Sequence, residues 1–309
     1  MAALAFLSAC GQKSVAPADV AVLTPTAQQS APQPGATGDT GPAMWLVSDE
    51  DSTVYLFGTF HILPASTRWK TPAFDAAMKE TATTMAEVDA KSPEAQAKMA
   101  ALVQELGLNP PGATLSAALG KERAARFAEI AGTYGVPMAA LEPLKPWLAM
   151  ITLTMTVMQK EGFEAGSGAE ETILLRAGEE GDRLDYLESA EFQVRALAGL
   201  DETEILADFD SSLDQFADFD AYAARVLSAW AAGDVRTLEE ETLAPMRKDA
   251  PIAFRTLITD RNRNWVRRIE AIMAGDEDCF IAVGAGHLIG EESVVAMLKE
   301  KGYAVRRVQ

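Results

Sequence analysis

Apolar positions along this 309-residue chain follow two rhythms, and the rhythms occupy different stretches. Near the two ends lie short apolar runs that stop at glycine, acidic or turn residues. They are "MWLVS" and "TVYLFG" around the polar "DEDS", "TTMA" before Glu87 and Asp89, "CFIAVG" from Cys279, and a final "YAVRRV". Runs of this kind read as strands. From about residue 93 to 247 the apolar residues instead recur at three-to-four spacing, as in "PEAQAKMAALVQELG", "GKERAARFAEIAGTYG", "AEETILLRAGEEG" and "DAYAARVLSAWAAGD". That spacing predicts amphipathic helices, with "RLDYLE" from Arg183 as a candidate strand among them. Thr71 and Pro72 mark a helix start by cap and first-turn proline, and "DRNRNWVRRIEAIMAGD" and "EESVVAMLKEKG" supply two more helices. The expected fold is mixed α/β (α+β): a central mixed sheet from the N- and C-terminal segments, with a large helical insert. The closing strand–helix–strand unit predicts a parallel pair joined by a right-handed crossover. "PWLAMITLTMTVM" from Pro146 is too short to cross a bilayer and reads as a buried helix.

The first 42 residues do not share these rhythms. Residues 11–42 are rich in Ala, Pro, Gln, Thr and Gly and nearly devoid of large apolar side chains, which predicts a disordered linker before a domain at 43–309. Leu7-Ser8-Ala9-Cys10 has the form of a lipobox, with Cys10 as the lipidation site. The preceding "MAALAF" is short and lacks a positive n-region, so residues 1–10 read as a partial lipoprotein signal segment. Gly11 after the cysteine fits export to the bacterial outer membrane. The expected location is the cell envelope, facing the periplasm and tied to the membrane through Cys10. Forty-five acidic against 27 basic residues give a net charge of −18, which argues against nucleic acid as a partner. Lipidation would leave Cys279 without a disulfide partner, and its place in an apolar run predicts a small core residue.

Candidate chemistry gathers at strand ends. The chain has two histidines, His61 and His287, each three residues after a glycine, Gly58 or Gly284, that closes an apolar run. In open α/β sheets ligands bind beyond the carboxyl ends of strands. Neutral imidazole with a carboxylate is a common ligand set for divalent metals. Glycine at 58, 284 and 286 lets backbone approach a ligand, and the N–H groups near Ala285 could face an anion. Glu87 and Asp89, two apart, would share one face, either toward a cleft or into solvent. Arg261 and Asn262 in "DRNRNW" offer forked donors to a carboxylate or oxyanion, whereas Arg263, Arg267 and Arg268 read as a solvated helix face. Glu188 puts a carboxylate at another strand end, as a site residue or a helix cap. No His-Glu-x-x-His helix, Gly-x-Ser-x-Gly elbow or phosphate loop competes.

Seven segments in order, "YLFGTFHILP", "MAEVDA", "LKPW", "LESAEFQ", "AWAAGD", "DRNRNW" and "FIAVGAGHLIGEESVVAMLKEKGYAV", make nearly all of residues 43–309 resemble the TraB/GumN family, which includes the Tiki metalloproteases of animals. The resemblance implies a metal-dependent hydrolase centre at Gly58, His61, Glu87, Gly284 and His287, supported by Arg261 and Asn262. Glu188 and Gln193 match the family's Leu-Glu…Gln segment. Where many bacterial members have Gly-Val-Asp, this chain has Gly168-Ala169-Glu170, so no role is carried over to Glu170. The reading that follows is an envelope-tethered metallopeptidase. His61, His287 and Glu87 would bind Mn or Co, with Zn or Fe as the other choices, and the activated water would attack a peptide or other acyl bond. Arg261 would steady the oxyanion, Glu188 would pass a proton, and Gly58, Gly284, Gly286 and Asn262 would line the substrate. A haem- or peptide-binding lipoprotein without catalysis, or a purely structural envelope protein, is the competing reading. A homo-oligomer is left open.

Overall fold

The computed structural model describes residues 40–164 and 166–309, so the Cys10 lipobox and all but the end of the expected linker lie outside the described residues. Of that linker, Gly41 and Pro42 are already buried, and the Gln309 side chain donates to the Pro42 carbonyl at 2.8 Å.

Eight strands are present among the described residues: β1 (Met44–Ser48), β2 (Thr53–Thr59), β3 (Leu63–Pro64), β4 (Thr83–Ala86), β5 (Phe163–Glu164), β6 (Arg183–Tyr186), β7 (Cys279–Gly284) and β8 (Val305–Arg307). Six form one mixed sheet in the order β6-β4-β7-β2-β1-β8, and β3 and β5 form a separate antiparallel ribbon. β7 is parallel to both of its neighbours, β4 and β2, and β6 is parallel to β4. Every residue of β7, and all but Thr53 of β2, is buried, because helices cover both faces at the centre of the sheet. Their near-continuous apolar sequences are what that position requires.

The closing strand–helix–strand unit departs from expectation in one respect. β7 and β8 run the same way, since β8 is antiparallel to β1 and β1 is antiparallel to β2, but they do not pair. Two strands lie between them. β8 ends up exposed at Arg306 and Arg307, as befits an outer strand with charged side chains.

One face of the sheet carries Phe57 and Phe280, whose rings pack on Phe74 at 5.2 and 5.7 Å. Phe74 belongs to the helix Pro72–Glu80, which Thr71 caps by accepting from the Phe74 N–H. The helix Ala169–Glu180 lies over the same face, placing Arg176 on the Phe74 ring at 5.6 Å. The helix Asp260–Met273 covers the opposite face. The helical insert is interrupted where β6 returns to the sheet edge, and helices then continue to Met273. Pro146–Lys160 is a buried helix, and among the described residues no helix is long and apolar enough to cross a membrane.

Trp230, at the end of the helix Phe219–Ala231, ties the insert to the sheet. Its indole N–H donates to the Gly58 carbonyl at 2.8 Å, and its ring stacks on Phe60 at 5.2 Å. Trp230→Phe leaves that buried carbonyl without its donor, and denaturant titration should show a loss of about 1–3 kcal/mol.

Candidate metal centre

The two Gly-x-x-His frames meet because β2 and β7 are adjacent and parallel. Gly58 is registered opposite Val283 and Thr59 opposite Gly284, so the two frames run side by side, one residue out of phase. Neither glycine has a left-handed backbone: positive φ is confined to other glycines, and Gly284 sits at φ −50°, ψ 132°. Gly58 matters for closeness instead. A Cβ there would lie 3.1 Å from the Ala285 Cα, so glycine lets the chain leaving β7 pass against β2. Beyond Gly284, a 3₁₀ turn over Ala285–His287 delivers His287 into the interior, fully buried.

His287 is held by one turn of the helix Asp260–Met273. The Asn262 amide nitrogen donates to the Glu292 carbonyl at 2.7 Å, which turns its oxygen toward His287 Nδ1 at 2.6 Å. The Nδ1 therefore carries the proton, and the Nε2 lone pair faces Arg261 Nη1 at 3.1 Å. Trp265, four residues after Arg261, lays its ring 4.3 Å from the imidazole. Burial and the adjacent Arg261 charge, partly offset by Glu87, pull the His287 pKa down to about 3. At neutral pH this imidazole is uncharged.

Arg261 is the hub of the site and is 1% exposed. Its Nε donates to Glu188 Oε1 at 2.9 Å, and its Nη2 donates to Glu87 Oε2 at 2.6 Å and also to Glu188. Its Nη1 faces the Leu257 carbonyl at 3.3 Å as well as His287. Every guanidinium N–H is thus directed at a protein group. The oxyanion role expected from sequence needs a donor pointing at substrate, and this arrangement assigns Arg261 to positioning instead. Glu87 is also tied down, with Oε1 accepting from the Gly284 N–H at 2.7 Å and Oε2 from Gln193 at 3.2 Å as well as Arg261, which leaves acceptor capacity on Oε1. Burial alone would raise its pKa. Arg261, His287, His61 and the Gly284 N–H outweigh burial and hold it at about 2. The anion expected near the Gly284 N–H is therefore the protein's own carboxylate. Glu188 accepts further from Gln193 at 2.9 Å and from the Trp265 indole at 3.1 Å, so Gln193 bridges the two carboxylates.

His61 points the other way, toward a residue that sequence reasoning passed over. Its Nδ1 lies 3.5 Å from Glu170 Oε2, and the His61 side chain is 4% exposed. Glu170 occupies the first turn of the helix Ala169–Glu180 and is 1% exposed. The approach depends on Gly168, where a Cβ would collide with the His61 carbonyl and lie 3.1 Å from its Cα. The Ala169 N–H donates to the Phe60 carbonyl at 2.9 Å and locks the register. The Gly168-Ala169-Glu170 departure thus keeps a carboxylate at the site. An acid placed immediately after "GSGA" at a helix start was the available signal.

His61, Glu87 and Glu170 each offer one donor atom within 4.8 Å of the others, and His287 is not in that group. One imidazole and two carboxylates, without a thiolate, suit a divalent cation. The other expected residues sit apart from this donor set. Asp89 accepts from the Lys91 and Ser92 N–H groups at 2.9 and 3.0 Å and shapes the turn after β4. Gly286 packs near Leu243, 3.3 Å from where a Cβ would be. Arg263 and Arg268 form exposed pairs with Asp260 and Asp185, and Cys279 is a fully buried thiol whose pKa burial pushes up.

The family model described as TraB/PrgY/gumN matches residues 43–307. A "Metalloprotease TIKI homolog" of Amphimedon queenslandica is 34% identical over 84 residues, which is 26% of this chain and 14% of that protein. The chain thus matches only a small part of that relative's length. No solved structure matches.

Two outcomes follow from this geometry. Gly168→Ala should push the chain off the His61 backbone and separate His61 from Glu170, costing about 1–3 kcal/mol in denaturant titration by overpacking. Because the His287 pKa is depressed when folded, its contribution is full above pH 6.5 and is lost as pH falls toward about 3. Wild-type stability should therefore fall over that window with a component of up to about 1.4 kcal/mol per pH unit, and the component should be absent in His287→Gln.

Proposed function

Because the chain belongs to the TraB/PrgY/gumN family over residues 43–307, we propose that it is a metal-dependent hydrolase of the metallopeptidase type, with His61, Glu87 and Glu170 holding the cation. The observation that carries the reading is the convergence of those three donors within 4.8 Å. A bound divalent cation supplies a coordinated water with its pKa lowered to roughly 7 and a polarised carbonyl. The residues around it hold that arrangement. Arg261 fixes the Glu87 carboxylate, Glu188 offsets the Arg261 charge, and Asn262 sets the His287 tautomer so that its lone pair meets Arg261. Mn or Co is the favoured ion, as the family resemblance implies, and the two carboxylates are compatible with Mn. A peptide is the favoured substrate, by likeness to the relative's printed name. Tethering to the outer membrane through a lipidated Cys10 is part of the same proposal and is supported by Leu7-Ser8-Ala9-Cys10. Against a haem-binding reading stands His287, whose Nε2 lone pair already faces Arg261.

The test is metal content of the full chain purified without chelator. Near-stoichiometric Mn or Co should be present, and His61→Ala or Glu170→Gln should lower affinity at least about tenfold. His287→Ala should cost less, because it removes a partner of Arg261 and not a donor to the ion. Peptide hydrolysis should cease with chelator and return with Mn. Absence of any uptake after adding Mn or Co would sink the proposal.

A further inference from the structure

A buried hydroxyl at the end of β2, two residues before His61, is left unused by the described residues. Thr59, the last residue of β2, is 1% exposed, and its Oγ1 has no hydrogen-bond partner among the described residues. Buried hydroxyls are almost always bonded, because leaving one unpaired costs its desolvation. We propose that the Thr59 hydroxyl is a further oxygen donor to the divalent cation, and that it biases the site toward Mn²⁺ over Zn²⁺; this rests on the metal reading above.

Three placements carry the assignment. Thr59 precedes His61 by two residues, so any ion reached by His61 lies close to the end of β2. It is registered with Gly284, whose N–H holds Glu87 Oε1 at 2.7 Å, so Thr59 and Glu87 flank a residue without a side chain. Its side chain also emerges on the same face as that of Phe57, two residues back. Phe57 packs on Phe74, and Phe74 meets Arg176 of the helix whose first turn carries Glu170. Thr59 therefore faces the side from which Glu170 approaches, while Glu87 follows β4, with β7 lying between it and β2.

The chemistry then sets the ion. A neutral hydroxyl is a hard, weak donor that suits Mn²⁺ or Mg²⁺, as phosphate-loop Ser and Thr hydroxyls show for Mg²⁺. Zn²⁺ is satisfied by fewer donors and binds nitrogen and sulfur more readily. An oxygen-rich set of Thr59, Glu87 and Glu170 with one imidazole favours the higher-coordinate ion.

Thr59→Val keeps the shape and removes the oxygen, and Thr59→Ser keeps the oxygen. Mn²⁺ and Zn²⁺ affinities of the full chain would be measured by competition with a chromophoric chelator, alongside the melting temperature of the metal-free protein. Thr59→Val should weaken Mn²⁺ about tenfold while changing Zn²⁺ less than about threefold, and Thr59→Ser should restore Mn²⁺ binding. The metal-free Thr59→Val protein should melt no lower than wild type, because an unpaired buried hydroxyl is lost. Wild-type Mn²⁺ affinity in Thr59→Val overturns the assignment while leaving the metal reading standing. A lower metal-free melting temperature with equal losses for both ions also overturns it, in favour of a packing role; should Thr59→Val fail to fold, a Thr59→Ser protein that folds but loses Mn²⁺ affinity relative to Zn²⁺ has the same consequence. A wild-type protein that binds neither ion removes both readings together.

Discussion

The arrangement around this site depends on one buried cation. Arg261 sits in the interior with two carboxylates, an imidazole and a main-chain carbonyl disposed around a planar fork. A guanidinium this deep is tolerated only when its charge is matched and its donors are met, and removing one partner of such a pair typically costs about 3–5 kcal/mol. The pairing also explains the local sequence. Glu87 and Glu188 end neighbouring parallel strands, β4 and β6, and the Glu188 N–H itself donates to the Glu87 carbonyl at 2.9 Å. Two carboxylates brought that close would repel and raise one another's pKa without a cation between them. Arg261 converts the repulsion into a fixed frame from which Glu87 can still offer an oxygen to the centre.

Division of labour between the two histidines follows from the same frame. His287 faces Arg261 and is locked by Asn262 and Trp265, three residues from a single helical turn. His61 faces Glu170 across the top of the sheet. The frames that look alike in sequence therefore have unlike surroundings: one histidine organises the arginine, and the other lies among the acids that could hold an ion. A repeated motif gives the backbone geometry of a strand end but not the partner its side chain will meet.

Much of the fold was legible because strand and helix periods differ so plainly along the chain. The Thr71 cap, the buried run "CFIAVG" and the Pro146 helix could all be read from local pattern. The pairing of β8 with β1 could not, since nothing local tells a final strand to skip past two others. At the site, His61, Glu87, Arg261 and His287 stood out because rare or charged residues at apolar strand ends are conspicuous. Glu170 did not, because an acid in the first turn of a helix is ordinary helix chemistry and its burial is decided by a glycine three-dimensional contact with His61. Arg261 was visible as a donor, but which groups would consume its donors depends on β4 and β6 arriving side by side.

The central strand of the sheet comes from the last part of the chain. β7 lies between β4 and β2, so the N-terminal strands cannot close on one another until residues near 280 have left the ribosome. Until β7 is available, β2 and β4 have no strand between them to pair with. The acids and the first histidine are made long before the strand that joins them. The strand that completes the sheet thus also supplies the Gly284 N–H that holds Glu87, so sheet closure and the placement of that carboxylate are one event.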